Sequence, residues 1–145
     1  MIWNKKYESM QLDEMRSLQR MRLQEILRSV YEKVPFYRHS MTMAGVRPDT
    51  VKTLEDIQLL PFTTKQDMRD NYPYGLLASP MKEIVRVHAS SGTTGKPTVV
   101  AYTRNDLDVW GEVLARTLAA GGLHNGSVFQ VSVNCKQCQP FFRCK

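Results

Sequence analysis

The fold of this chain is indicated most directly by one loop, Ser90-Ser91-Gly92-Thr93-Thr94-Gly95-Lys96-Pro97. The loop contains four hydroxyl side chains, two glycines and one lysine, and it has no acidic residue. Glycine lets the backbone turn sharply and approach a ligand, while hydroxyl, backbone N–H and ammonium groups donate hydrogen bonds to an anion. The composition therefore predicts a phosphate-binding loop formed by Ser90, Ser91, Gly92, Thr93, Thr94, Gly95 and Lys96.

The P-loop, G-x-x-x-x-G-K-[ST], is the obvious alternative for such a composition. When its Gly-Lys pair is aligned on Gly95 and Lys96, Ser90 takes the position of the first glycine. Pro97 then takes the position of the hydroxyl residue that binds magnesium. A P-loop also leads directly into a helix, whereas the apolar residues 98–102 predict a strand. We therefore reject the P-loop and expect this loop to join two strands.

The sequence around the loop has the pattern of an α/β fold. Residues 84–88 and 98–102 predict two neighbouring strands. Residues 103–106 predict the start of a helix, which Gly121-Gly122 ends, and its apolar face consists of Leu107, Trp110, Leu114 and Leu118. Residues 128–133 predict a third strand. This order indicates the first strands and the first crossover helix of a larger, incomplete sheet.

The N-terminal part of the chain has helical patterns instead. Apolar residues at three-and-four spacing predict a long amphipathic helix over 12–34, which Pro35 ends. Thr53 and Thr64 each precede an aspartate by three residues, which predicts short helices over 53–59 and 64–70. We therefore divide the chain into three parts, which are a helical region (1–83), the start of a sheet (84–134) and a tail (135–145).

Two motifs lie outside the loop, Val34-Pro35-Phe36-Tyr37-Arg38 and residues 60–73, and a third, residues 87–98, contains it. Together with the loop they resemble the phenylacetate-coenzyme A ligases, which are adenylate-forming acyl- and aryl-CoA synthetases. The resemblance runs from the first helix to Asn134 and covers about the opening third of such a ligase. It implies that the chain is an N-terminal fragment of the large AMP-binding domain.

The resemblance also implies the reaction. A carboxylate attacks the α-phosphorus of ATP to give an acyl adenylate and diphosphate, and coenzyme A then displaces AMP. ATP, Mg²⁺ and coenzyme A are implied, and we expect none of them to bind this chain tightly. The family's catalytic lysine, adenine contacts and acidic magnesium ligand come later in its sequence. We therefore expect no catalytic residue, no metal ligand and no ligase activity in this chain alone.

The tail breaks the family pattern. All of the cysteines, Cys135, Cys138 and Cys144, fall within it. Structural zinc takes four ligands with two close pairs, and none of the three histidines lies at a typical spacing. Such an abrupt change of composition is what translation in a wrong reading frame would produce. Three interpretations stay open, which are a ligase fragment, a non-catalytic nucleotide-binding or interaction module, and a small zinc protein.

The net charge of +6 does not indicate nucleic-acid binding. Residues 1–83 carry 13 Lys/Arg against 11 Asp/Glu, and no basic stripe alternates with aromatic residues. The longest apolar run, 99–102, has four residues, so we expect no membrane span and no signal peptide. We expect a cytoplasmic protein whose partner is a small-molecule nucleotide. An exposed edge at strand 127–133 predicts self-association.

Several residues near the loop have simple structural interpretations. We expect His88 to be a hydrogen-bonded core histidine and Trp110 to be core packing. Asp106 is interpreted as a helix cap and not as an acid catalyst. Tyr37 and Arg38 are expected to anchor the turn after Pro35.

Overall fold

The computed structural model describes residues 2–90, 97–128 and 130. A helical N-terminal part is followed by an antiparallel hairpin and one further helix. The helices are α1 (Lys5–Glu8), α2 (Leu12–Lys33), α3 (Pro35–Met43), α4 (Lys65–Asp70) and α5 (Arg104–Ala120). The strands are β1 (Ile84–Ala89) and β2 (Val99–Thr103), and short 3-10 helices span Pro48–Thr50, Glu55–Leu59 and Met81–Glu83.

Pro35 separates α2 from α3. Val34 before it is extended, with φ −116° and ψ 105°, as expected for a residue that precedes proline. The predicted end of α2 is therefore confirmed, but α3 was not predicted. Pro35 occupies the first position of α3, where its fixed φ suits the helix and its missing N–H leaves no bond unmade. Arg38 lies within α3 and donates to the carbonyls of Tyr31 (2.8 Å) and Glu32, which ties α3 to the end of α2.

The core of the helical part forms where the chain reverses after α3. Gly45 has φ +67°, a left-handed conformation that favours glycine. The Val46 N–H then donates to the Met41 carbonyl at 2.9 Å, which is the long bond of a Schellman motif. This turn packs Val46 and Met41 into one buried cluster with Leu27 and Val51.

Reciprocal caps begin α4 and α5. The Thr64 hydroxyl oxygen accepts from the Asp67 N–H at 3.2 Å, and the Asp67 carboxylate accepts from the Thr64 N–H at 2.7 Å. Thr103 and Asp106 form the same pair of bonds at 3.2 and 2.8 Å. The predicted role of Asp106 as a cap is confirmed. At the other end, α5 stops at the predicted glycines, where Gly122 has φ +94°.

β1 and β2 pair antiparallel, with Val87 opposite Ala101 and Ala89 opposite Val99. Two adjacent strands around the loop were predicted, and this is confirmed. The third predicted strand, 128–133, falls mostly outside the described residues. Val128 and Gln130 are described and lie in no strand, so the crossover to a third strand stays a prediction.

The first residues of the chain connect α5 to the helical part. Trp3 Nε1 and Asn4 Nδ2 donate to the two carboxylate oxygens of Glu112 on α5, at 3.0 and 2.6 Å. The ring of Tyr7 on α1 lies 5.8 Å from the Arg22 guanidinium on α2, within the range of a cation–π contact. The two bonds to Glu112 join residues more than 100 positions apart in sequence.

Replacing Glu112 tests this connection. Glu112→Ala removes two hydrogen-bond acceptors, so we expect the free energy of unfolding to fall by about 1–2 kcal/mol in urea denaturation. Asp108→Ala removes an exposed carboxylate one turn earlier on α5 and is expected to change stability by less than about 0.5 kcal/mol. Equal effects of the two substitutions would contradict the proposed connection.

The cap of α4 predicts a pH dependence. The Thr64 hydroxyl, and then its backbone N–H, donate to the Asp67 carboxylate and hold the pKa of Asp67 below its usual 3.8. Because the folded-state pKa is lowered, this stabilisation is complete above the unfolded-state pKa and is lost as pH falls through the folded-state value. An NMR titration of the Asp67 carboxyl carbon should give a midpoint below 3.8, and Thr64→Ala should raise it. A midpoint that Thr64→Ala leaves unchanged would show that the cap does not lower this pKa.

Candidate functional site

The predicted phosphate loop leaves the hairpin between Ser90 and Thr98. The Ser90 N–H donates to the Thr98 carbonyl at 2.9 Å, and the Thr98 N–H donates to the Ser90 hydroxyl oxygen at 2.9 Å. One bond thus comes from the backbone of Ser90 and the other from its side chain. These two bonds fix the distance between the two ends of the loop.

The same bonds decide which group of Ser90 is free for a ligand. Its backbone N–H is already used, so it has no donor left on the main chain. Its hydroxyl oxygen accepts one bond, which leaves the hydroxyl hydrogen able to donate, and the residue is exposed. The remaining predicted site residues, Ser91, Gly92, Thr93, Thr94, Gly95 and Lys96, lie outside the described residues.

The position of α5 separates this loop from a P-loop. The residues after the loop form β2, and α5 begins only at Arg104, at the far end of that strand. Four residue steps from Val99 to Thr103 correspond to about 13 Å at the rise of a β-strand. The helix therefore does not follow the loop directly, as the helix of a P-loop does.

An aromatic cluster lies on one face of the hairpin, next to the loop. The rings of Tyr102 and Trp110 stack at 5.4 Å, and His88 meets both edge-on at 5.2 and 5.8 Å. Because alternate residues of a strand share a face, Tyr102 lies on the same face of the hairpin as Val100, which the register places opposite His88. The cluster thus holds α5 against the strands that carry the loop.

Two predictions about this cluster are wrong. His88 was expected in the core, but it is exposed, and Trp110 is 45% exposed. The described sheet has two strands, so it covers these side chains less than a larger sheet would. The register places His88 opposite Val100. Val100 and Tyr102 are two residues apart and therefore share a face, which strand alternation in the sequence could have indicated.

The opposite face of β2 borders a groove of about 330 Å³. Val99 and Ala101 form one wall, and Tyr37 of α3 and Asn71 after α4 form the other. Asp106, at its rim, is already bonded to Thr103 in the cap of α5. Tyr37, Asn71 and Ser79 also line the groove, so its surface combines polar and apolar groups.

Within residues 2–90, 97–128 and 130, no cluster of three or more His, Cys, Asp or Glu side chains has the arrangement of a metal site. Cys135, Cys138 and Cys144 lie outside those ranges. None of the described helices is both long enough and apolar enough to cross a membrane.

No family model matches the chain, but individual relatives do. It is 52% identical over 126 residues to the phenylacetate-coenzyme A ligase of Thermus thermophilus, a stretch that is 87% of this chain and 28% of that protein. It is 53% identical over 115 residues to the same ligase of Escherichia coli, covering 79% and 26%. The chain is homologous to the phenylacetate-coenzyme A ligases. The predicted resemblance is confirmed, and the chain spans little more than a quarter of the length of these relatives.

Solved structures of acyl-CoA ligases agree with this homology. A crystal structure of 2-hydroxyisobutyryl-CoA ligase in complex with 2-HIB-AMP and CoA superposes on 86% of this chain and 28% of its own, with a TM-score of 0.78 and 33% identity. An open conformation of that ligase gives a TM-score of 0.76 at 30% identity. The predicted fold class, the beginning of an adenylate-forming enzyme with a helical N-terminal region, is confirmed.

The similarity to phenylacetate-coenzyme A ligases includes the loop. The shorter of the two matched stretches has 115 residues, so at most 30 of the 145 residues of this chain lie outside it. A stretch of that length contains residues 31–115 wherever it starts, because it begins no later than residue 31 and ends no earlier than residue 115. The loop at 90–97, β1, β2 and most of α5 therefore lie within the stretch that matches this ligase.

Hydrogen exchange tests how the loop is closed. Ser90→Ala removes the hydroxyl that accepts from the Thr98 N–H, so exchange of the Thr98 amide should accelerate about fivefold to tenfold, which corresponds to about 1–1.4 kcal/mol. The Ser90 amide is bonded to the Thr98 carbonyl and serves as the internal control, with little change expected. Acceleration at both amides would mean that the hairpin opens as a whole and that the side-chain bond does not act locally.

Proposed function

We propose that residues 90–97 bind the β- and γ-phosphates of ATP and that this chain supplies the phosphate site of an arylacetate-CoA ligase. The observation that carries the proposal is the hairpin closed by Ser90 and Thr98 in a chain homologous to phenylacetate-coenzyme A ligases. When a carboxylate attacks the α-phosphorus of ATP, negative charge builds on the departing diphosphate. Fixed donors and a cation around that group lower the barrier.

Each residue type in the loop suits one part of this task. The hydroxyl hydrogen of Ser90 is directed to a phosphate oxygen from the closed end of the hairpin. Ser91, Thr93 and Thr94 supply further hydroxyl and backbone donors, while Gly92 and Gly95 let the backbone approach the phosphates closely. Lys96 provides a mobile positive charge for the diphosphate.

We propose that Mg²⁺ reaches this site together with ATP. Magnesium in nucleotide sites is bound through phosphate oxygens, one or two carboxylates and water. Residues 90–97 contain no carboxylate, so the protein ligand for the ion has to come from another part of a ligase. This chain's own contribution is therefore donor groups and one ammonium.

The chain alone is proposed to bind ATP weakly and to lack ligase activity. Stabilising the transition state requires groups from several distant segments held in one geometry, and this chain corresponds to about 28% of a relative. Phenylacetate or a related arylacetate is the proposed acid, and coenzyme A is the proposed acceptor. Both are proposed to contact parts of the ligase outside this chain.

The remaining proposals concern organisation and environment. We propose that residues 1–83 support the sheet part at 84–134 and that the tail at 135–145 takes no part in the site. The protein is proposed to be cytoplasmic. In isolation it is proposed to self-associate, because an uncovered sheet edge pairs readily with another chain.

Substitution of Lys96 tests the proposed site. Addition of Mg·ATP should shift the amide resonances of residues 90–97 in a saturable manner, and Lys96→Ala should raise the apparent Kd about fivefold to tenfold, because it removes a charge-assisted hydrogen bond. Lys82→Ala removes the same charge from an exposed position just before β1 and is the matched control. Equal weakening by both substitutions, or resonances that do not move, would contradict the proposal.

A further inference from the structure

Four apolar side chains of α5 are about half exposed, although Trp110 among them also stacks on Tyr102. Val109, Trp110, Val113 and Leu114 are 54%, 45%, 49% and 50% exposed. Residues at i, i+1, i+4 and i+5 form one stripe on a helix. We call this group the α5 stripe. A surface helix of a folded domain normally turns such a stripe toward the core.

The charged side of the same helix has the opposite placement. Glu112 and Arg116 are only partly exposed, because Glu112 accepts from Trp3 and Asn4 and Arg116 lies 3.8 Å from the Glu8 carboxylate. Leu107, Leu118 and the buried Ala119 also lie on the covered side of α5, so the exposed apolar group is additional to an apolar side that is already packed. An exposed apolar stripe of this kind indicates a surface that is covered in the assembled molecule.

The neighbouring hairpin is also incomplete. Among the described residues, β1 and β2 pair only with each other, and Val85 and Val87 are half exposed. A two-stranded sheet is marginal by itself and gains stability from further strands or from a covering layer. The open strand edges and the α5 stripe thus both lie on the sheet part of the chain.

The relatives indicate what covers this surface. Within a phenylacetate-coenzyme A ligase the matched stretch is about 28% of the length, and the superposition on 2-hydroxyisobutyryl-CoA ligase likewise uses 28% of that chain. The described chain keeps the backbone arrangement that the corresponding part has inside a complete ligase, at a TM-score of 0.78. The remaining sequence of a ligase has to pack around this part.

We propose that the α5 stripe and the open hairpin edges are the docking surface for the C-terminal region of a phenylacetate-coenzyme A ligase, and that this chain binds such a region when it is supplied as a separate polypeptide. The proposal does not rest on nucleotide binding by residues 90–97. A Lys96→Ala variant should dock as the unmodified chain does. Failure of docking and failure of the proposed phosphate site are therefore distinguishable.

Co-expression tests the docking. This chain, carrying an affinity tag, is co-expressed with the part of the Thermus thermophilus ligase that follows the matched stretch. We expect the two polypeptides to purify together, and light scattering should give the mass of a 1:1 complex. That complex should replace any homo-oligomer of this chain. Recovery of the tagged chain without the ligase region would overturn the proposal.

Matched substitutions show whether the stripe makes the contact. Leu114→Asp places a charge in the stripe and should lower the amount of recovered ligase region at least tenfold. Val113→Thr is nearly isosteric, so it should also lower the amount of recovered ligase region, and it should do so without disturbing the fold. Met21→Asp changes a residue of similar exposure, 52%, in the middle of α2 and should change recovery less than twofold. Equal losses for Leu114→Asp and Met21→Asp would overturn the proposal. A homodimer that Leu114→Asp disrupts but that persists when the ligase region is present would also overturn the proposal. The stripe would then be covered by a second copy of this chain.

The two tryptophans of the chain provide an independent readout. Trp110 lies in the stripe, while Trp3 is 53% exposed and bonded to Glu112 on the other side of α5. With 5-fluorotryptophan incorporated, the resonances are assigned from Trp110→Phe and Trp3→Phe variants. On docking, the H₂O/D₂O isotope shift of the fluorine at Trp110 should collapse and that at Trp3 should persist. A shift retained at Trp110 in the 1:1 complex would place the contact elsewhere and overturn the proposal.

Discussion

The pairing of β1 with β2 is the constraint on which the rest of the sheet part depends. It ends in the reciprocal contact of Ser90 with Thr98, which holds the two ends of the loop at a fixed separation. A loop with two glycines has a large conformational entropy, and fixing its ends lowers the cost of ordering it around a ligand. The same pairing gives His88 and Tyr102 a common face, on which Trp110 of α5 packs.

The helical part supports this hairpin through contacts that are far apart in sequence. Glu112 on α5 is reached by Trp3 and Asn4, so the first residues of the chain help to set the position of the last described helix. Since α5 also packs on the hairpin through Trp110, the loop is linked mechanically to the N-terminal residues. This arrangement gives the helical part a structural role in the site although it contributes no residue to the loop.

The sequence predicted those elements that local chemistry determines. The end of α2 follows from Pro35, and the start of α5 follows from Thr103 and Asp106, because caps and proline act within one turn of a helix. The strands on both sides of the loop follow from their β-branched and apolar residues. The helix α3 was missed because Pro35 was interpreted only as a terminator, although proline is equally suited to begin a helix.

Long-range placement was not predictable in the same way. The exposure of His88 and Trp110 depends on how many strands and layers surround them, which their local pattern does not encode. Trp3 and Glu112 are far apart in sequence, and no repeating pattern relates their positions, so their contact could not be predicted. The loop was predicted from its composition, because its residue types suit an anion. The hydrogen bonds that close the loop could not be predicted, because they depend on the register of the hairpin.

Dissecting the nucleotide tests the central claim most directly. If residues 90–97 bind the triphosphate and little else, calorimetric titration with magnesium tripolyphosphate should give an affinity within a few fold of that for Mg·ATP. Adenosine at the same concentration should give no binding heat. Binding of adenosine with no response to tripolyphosphate would contradict the claim that this hairpin loop is a phosphate site.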